Sequence, residues 1–315
     1  MSSIINTIFM NNYIKRNLYM GAKLKSNKIF FWACDDNSSS GEGRLARLFI
    51  KEYKKKIKCS FINLSKPKNK FLKHKYIIPL VGVFYAWLYF VKGKKFIFLN
   101  YLPYWNFVIF LILPPKCEIG PITGGAQFSK KSNDYYIRKF IFPIFYLFSN
   151  LILKFRFKNI TFSTELLKKF ITKDIIKKSK FNFIFKEINR KKKNKKTIKF
   201  LFYFRKHKNK DYTLIYSLIK KMIIEKFTIH VIGDKLNLHK VKNYGYISHK
   251  KVLELLKLTK YSISSSENIF SFFTIDCINN NVKILIDAKN FNSIKYFKSN
   301  FVKFNFKNNN YKNLK

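Results

Sequence analysis

The sequence predicts an α/β protein built as two parallel, doubly wound sheets in tandem, and three observations carry that reading. Short strand-like apolar runs alternate with helical segments almost throughout the chain, which is the pattern of βαβ units. The alternation breaks at one strongly charged run, KEINRKKKNKK (186–196), and then restarts. Glycine, scarce elsewhere, collects with polar residues where strands end, and in open parallel sheets ligands bind beyond those carboxyl ends.

The elements follow in order. KIFFWAC (28–34) reads as a strand, then comes the polar loop DDNSSSGEG and the helix GRLARLFIKEYKKK. Leu45, Leu48, Phe49 and Tyr53 share one face of that helix, with charges opposite. CSFINL (59–64), FIFLNY (96–101), CEIGPI (117–122) and NITFST (159–164) are further strands. Beyond the charged run come KFLFYF (199–204), a helix over 211–225, FTIHVIG (227–233) and a strand near Gly245. A helix over 248–258, YSISSS (261–266), a helix over 271–280 and VKILID (282–287) complete the pattern. The expected organisation is therefore a Rossmann-like domain over 1–180 and a second over 197–315, with the charged run as linker. All seven prolines lie between Pro67 and Pro143, so the second half is uninterrupted.

The net charge of +48 invites a nucleic-acid reading, but 57 of the 64 basic residues are lysine. Asn, Ile, Phe and Tyr are inflated with lysine, the set that A/T-rich codons favour, so coding bias accounts for much of the charge. Anionic membrane surfaces or anionic substrates fit it better than nucleic acid, for which no binding is expected. A basic nucleic-acid-binding or membrane-associated non-catalytic protein is the alternative. Cys34, Cys59, Cys117 and Cys277 are scattered, without metal spacing, and read as buried thiols. Two uncharged runs, 76–91 and 96–115, approach the roughly 20 residues a bilayer span needs. The longer, FIFLNYLPYWNFVIFLILPP, is broken by Asn100, Pro103 and Asn106. It reads as a strand, a loop and a short helix, all buried, while lysines beside the aromatic runs at 76–90 and 140–157 suggest peripheral attachment.

Five stretches could carry chemistry. SSSGEGR (38–44) places Gly41, Glu42 and Gly43 at a helix N-terminus, whose unpaired N–H groups favour an anion or are merely capped. It lacks the full G-x-G-x-x-G of a dinucleotide site and the lysine of a P-loop. CEIGPITGGAQF (117–128) concentrates Gly120, Gly124 and Gly125 around Thr123, three of the ten glycines in the chain. FYFRKHKNKDYTLI (202–215) presents Arg205 and Lys210 past a strand, and the planar fork of arginine suits a diphosphate. VIGDK (231–235) ends a strand at Gly233. SSSENIFSFFTIDC (264–277) offers Glu267, one of only 16 acids, then Asn268, Ser271 at a helix start and Asp276 inside that helix. A carboxylate at a strand end can accept from sugar hydroxyls.

The order R-x4-K, VIGD, GYI, S-S-E-N before a helix and VKILI resembles the C-terminal half of GT-B glycosyltransferases, most closely glycosyltransferase family 4. SGEGRLARLF, LNYLPYWNF and GPITGG resemble the first half of polysaccharide-cluster members. The resemblance covers roughly 28–290 and implies a retaining transfer of sugar from a nucleotide-diphosphate donor to a lipid-linked or polysaccharide acceptor. The setting it implies is bacterial cell-surface polysaccharide or lipopolysaccharide synthesis, on the cytoplasmic face of the inner membrane. By position, Arg205 and Lys210 would neutralise the diphosphate, Glu267 would stand near the transferred sugar, and Asp276 would hold the ribose. The glycine segments, GPITGG included, would face the interdomain cleft and let the backbone approach sugar or acceptor. The family needs no metal or other cofactor, consistent with the lack of a D-x-D triplet. Three departures stand out. Aspartate stands at position 276 where the family has glutamate. The interval from Glu267 to Asp276 is one residue longer than in the family, and Asn268 to Phe270 replace its glycines.

Overall fold

A computed structural model describes residues 28–38, 40–57, 61–64, 69, 71–72, 74, 77–124, 134–191, 194–206, 212–263 and 268–306. Cys59, Gly125, Lys210 and Glu267 lie outside the described residues, as do residues 1–27.

The first domain is built on β1 (Ile29–Ala33), β2 (Phe61–Asn63), β3 (Lys95–Leu99) and β4 (Glu118–Ile119), all parallel, in the order β2-β1-β3-β4. A bridge from Ile122 to Phe162 connects this sheet to the short parallel pair β5 (Ile160–Thr161) and β6 (Ser179–Lys180). Its helices are α1 (Gly41–Lys56), α2 (Ile78–Val91), α3 (Phe107–Ile112), α4 (Phe142–Arg156) and α5 (Lys173–Lys177). One core, with Trp32, Phe98, Leu102 and Phe110, forms between the sheet and the α2–α4 side. The other, with Ile29, Phe31, Ala46 and Phe49, lies under α1. Burial on both faces explains why these strands read as continuous apolar runs.

The second domain has β7 (Ile198–Phe204), α6 (Thr213–Ile224), β8 (Ile229–Gly233), β9 (Val241–Gly245), α7 (His249–Leu258) and β10 (Thr259–Ile263). It continues with α8 (Phe272–Asn279), β11 (Lys283–Asp287), α9 (Ala288–Phe291) and β12 (Phe301–Phe304). The six strands are parallel in the order β12-β11-β10-β7-β8-β9. Numbered from β7, that is the 3-2-1-4-5-6 order of a Rossmann sheet. The first sheet, shorter and ordered 2-1-3-4, is doubly wound as well, and two such doubly wound parallel sheets in tandem fit a GT-B fold.

The run 186–196 is not a loose tether. Asn279, near the end of α8, accepts from the Asn189 and Lys191 amides and donates to the Glu187 carbonyl. Lys196 Nζ donates to the carbonyl of Asn280 at 2.8 Å. Lys186, Arg190, Lys191 and Lys195 are exposed, while the backbone of Asn189 and Lys191 is fastened to the second domain. The 96–115 segment also departs from expectation: it is strand, loop and short helix, but Trp105, Val108 and Leu111 are exposed rather than buried.

Candidate active site

Each sheet reverses its winding at one point, β1/β3 in the first domain and β7/β10 in the second. Ligand crevices form beyond the carboxyl ends of strands at such points. α1 follows β1, α8 follows β10, and the first turns of the two helices meet. A Cβ added at Gly41 would lie 3.9 Å from the Phe272 ring, and the Arg44 guanidinium stacks 4.4 Å over that ring.

On the first-domain side, Ser40 caps α1, its Oγ accepting from the Gly43 amide at 2.9 Å. The chain doubles back so tightly that a Cβ at Gly43 would fall 2.1 Å from the Asn37 carbonyl oxygen, which only glycine permits. This turn delivers Glu42 toward the β3 and β4 ends. Its Oε2 accepts from the Tyr101 amide and its Oε1 from Thr123 Oγ1, both at 3.4 Å. Burial pushes the Glu42 carboxyl above its usual range, with Asp35 adding repulsion and the two hydrogen bonds offsetting part of the rise. Asn100, buried and in the left-handed region at φ 44°, locks the β1 and β3 ends together. Its Oδ1 accepts from the Asp35 amide, and its Nδ2 donates to the Asp35 and Glu42 carbonyls.

Asp35, Asn100 and Tyr101 were absent from the sequence-based candidates. Asn100, just past FIFL, carried the same strand-end signal that marked the others. Gly120 plays a packing part: a Cβ there would meet the Leu99 side chain at 2.8 Å, so its bareness admits β3 rather than a ligand. Gly124 and Thr123 remain partly exposed beside the Glu42 carboxylate.

On the second-domain side, Arg205 directly follows β7 and is exposed. Near it, Asp234 follows Gly233 at the end of β8. The Asp234 carboxylate is held below its usual range by the Lys206 amide, the Tyr246 hydroxyl and the Arg205 charge. Gly233 has φ 100°, and a Cβ there would lie 2.2 Å from the Phe204 carbonyl oxygen. Ser271 caps α8, accepting from the Thr274 amide at 3.2 Å. Ile269 and Phe270, where the family has glycines, are buried in the second core, Phe270 edge-on to Phe185 at 4.9 Å. Asn268, beside them in the chain, is half-buried.

Asp276 is 4% exposed, and both its oxygens have protein partners. Arg44 donates to Oδ2 at 2.8 Å and Oδ1 at 3.0 Å, and His249 Nε2 lies 3.0 Å from Oδ2. Burial works to raise its carboxyl, yet these hydrogen bonds outweigh burial and hold it below the usual value. Arg44 also reaches Glu187 at 2.9 Å. In this structure the residue assigned to a ribose is therefore an interdomain strut. Among the described residues, no group of three or more His, Cys, Asp or Glu could hold a metal ion.

No family model matches the sequence, and no curated protein matches it. Among solved structures the chain is similar to E. coli heptosyltransferase WaaC with ADP, at 8% identity, covering 83% of this chain and 87% of that one with a TM-score of 0.35. It is likewise similar to E. coli heptosyltransferase WaaC with ADP-2-deoxy-2-fluoro heptose, at 10% identity, covering 83% and 88%, with a TM-score of 0.33.

Proposed function

We propose that the chain is a retaining glycosyltransferase, of the kind that family 4 represents, moving a sugar from a nucleotide-diphosphate donor to a lipid-linked or polysaccharide acceptor in cell-surface polysaccharide synthesis. The observation that supports this most directly is the apposition of the two switch points, which sets Arg205 and the Ser271-capped helix on one side and Glu42 on the other. The donor belongs to the second domain. Arg205 and Lys210 neutralise the diphosphate, the α8 N-terminus adds N–H donors, and Glu267 and Asn268 meet the sugar. In the transfer, the bond from the anomeric carbon to the diphosphate oxygen breaks and the acceptor oxygen bonds to the same face. The acceptor proton leaves toward the departing diphosphate, whose charge these groups stabilise. No metal has a part in the proposal.

The test is calorimetric titration with UDP, GDP, ADP and their sugars, beside a transfer assay. Arg205→Ala is expected to weaken diphosphate binding about tenfold or more, the scale of a lost charge-assisted pair, with little effect on a bare nucleoside. Glu267→Gln is expected to leave nucleotide binding intact and lower turnover. Unchanged binding and transfer in both variants would refute the assignment. Binding to nucleic acid alone, with a steep salt dependence, would favour the non-catalytic alternative.

A further inference from the structure

On the first domain, α2, α3 and α4 form one layer whose outer face is apolar. Along α2 the exposed side chains include Phe84, Trp87, Leu88 and Val91, and along α4 Ile144, Leu147, Phe148 and Leu151. Both sets follow the i, i+3, i+4, i+7 spacing of a single helix face. On a water-facing helix that stripe would be polar. Yet α2 contains no charged residue, and α4 none before Lys154.

Val108 and Leu111 of α3 join the two stripes. Trp87 Nε1 donates to the Ile112 carbonyl at 2.8 Å, and the Phe107 ring meets Phe148 at 5.1 Å. Phe84 and Leu147 are each 65% exposed and Phe155 79%. Among the described residues, only Phe71, Tyr203, Ile224, Tyr246, Leu258 and Tyr296 are large hydrophobic side chains exposed outside this face and its edges.

The rim is basic. Lys92, Lys94, Lys139 and Lys158 are exposed around the layer, and the exposed Lys154 pairs with Asp174 at 2.7 Å. Between Glu52 and Glu165 the chain has only two acids, Glu118 and Asp134, paired with Lys95 and Arg138. No helix among the described residues is long and apolar enough to cross a membrane.

We infer that this face embeds in one leaflet of an anionic bilayer, its apolar stripes below the headgroups and its lysines at the lipid phosphates. The charge decides between occupants: a second copy would bring one lysine rim against another, whereas anionic lipid complements it. The bare stripes decide the mode, because charge alone needs no such face. The inference deepens the lipid-linked acceptor reading and rests on it only for its purpose. Vesicle binding is measured without donor or acceptor, so the two can fail separately.

The test is flotation of the full chain with phosphatidylcholine vesicles, with and without phosphatidylglycerol, beside the double variant Phe84→Glu, Leu147→Glu. Both positions are exposed, and thermal melts verify that the variant folds. Expected are binding to the anionic vesicles that persists in about 1 M salt, where surface charge is screened, and a partition about tenfold or more weaker in the variant. Binding that vanishes in salt and ignores the double substitution would overturn the inference. So would a lipid-free dimer that the same substitutions dissolve, because a second copy would then own the face.

Discussion

Arg44 holds both carboxylate oxygens of Asp276 from the opposite domain, at 2.8 and 3.0 Å, although the two residues are 232 positions apart. Their side chains are 11% and 5% exposed, so the pair is largely out of water. Removing one partner of such a pair strands the other charge, at a cost of about 3–5 kcal/mol. Arg44→Met is therefore expected to lower the urea midpoint strongly. Adding Asp276→Leu should restore part of the loss, because the buried carboxylate left with only His249 is then gone, while Glu187 lacks Arg44 in both variants. A double variant less stable than Arg44→Met alone would contradict this.

The same pair sets an acid limit. Asp276 is depressed below its usual 3.8, so its contribution is fully present above 3.8 and is lost as pH falls through the lower, folded value. Asp276→Asn is expected to be much less stable than the wild type near neutral pH, and the gap should narrow as pH drops well below 3.8. Glu42 and Glu187 are raised above 4.5, so they act with the opposite sign and cannot produce that narrowing. Chemical denaturation of both proteins across this range checks it. A gap independent of pH would show that the carboxylate charge is not what matters.

Much of the architecture was legible because strands buried on both faces leave apolar runs, as at Ile29–Ala33 and Ile229–Gly233. β12 was not read: Phe301–Phe304 is four residues in a Lys- and Asn-rich tail, and only its pairing with β11 makes it a strand. Placement of Arg205 and Ser271 was readable because each depends on one neighbouring strand or helix. The contact of Arg44 with Asp276 depends on how two domains meet, and no local pattern encodes that. The runs that form α2 and α4 pointed to peripheral attachment, but which of their faces is exposed was not legible. An apolar helix reads alike whether it faces a core or leaves it.

Two glycines two residues apart should behave oppositely. A Cβ at Gly43 would meet backbone atoms of Asn37 at 2.1 and 2.5 Å, and backbone cannot rotate aside. Gly43→Ala is expected to cost about 1–3 kcal/mol, the range for forced overpacking, and to displace the loop that carries Asp35. At Gly41 the nearest atom, Phe272 Cδ2, lies at an ordinary 3.9 Å. Gly41→Ala should be close to neutral in a thermal melt. Equal effects at both positions would show that the loop does not hold this geometry in solution.

Glu42 poses the sharpest trade between stability and chemistry. Burial raises its carboxyl, so the fold disfavours the ionised form of this group. Glutamine has nearly the same shape and keeps both hydrogen bonds, its Oε1 accepting from the Tyr101 amide and its Nε2 donating to the Thr123 hydroxyl. Glu42→Gln is therefore expected to stabilise the fold at neutral pH. The sign follows from linkage. The folded state binds this proton more tightly than the unfolded chain, so wild-type stability falls as pH rises from 4.5 through the raised value, and the gain from glutamine disappears below 4.5. Under the proposed function Glu42 faces the donor loops, so the more stable variant should transfer sugar more slowly while binding nucleotide unchanged. Thermal melts at about pH 7 and about pH 4, with turnover at the former, separate the outcomes. A lower melting temperature at neutral pH would show that the carboxylate is at ease where it sits, and an unchanged turnover would remove Glu42 from the site.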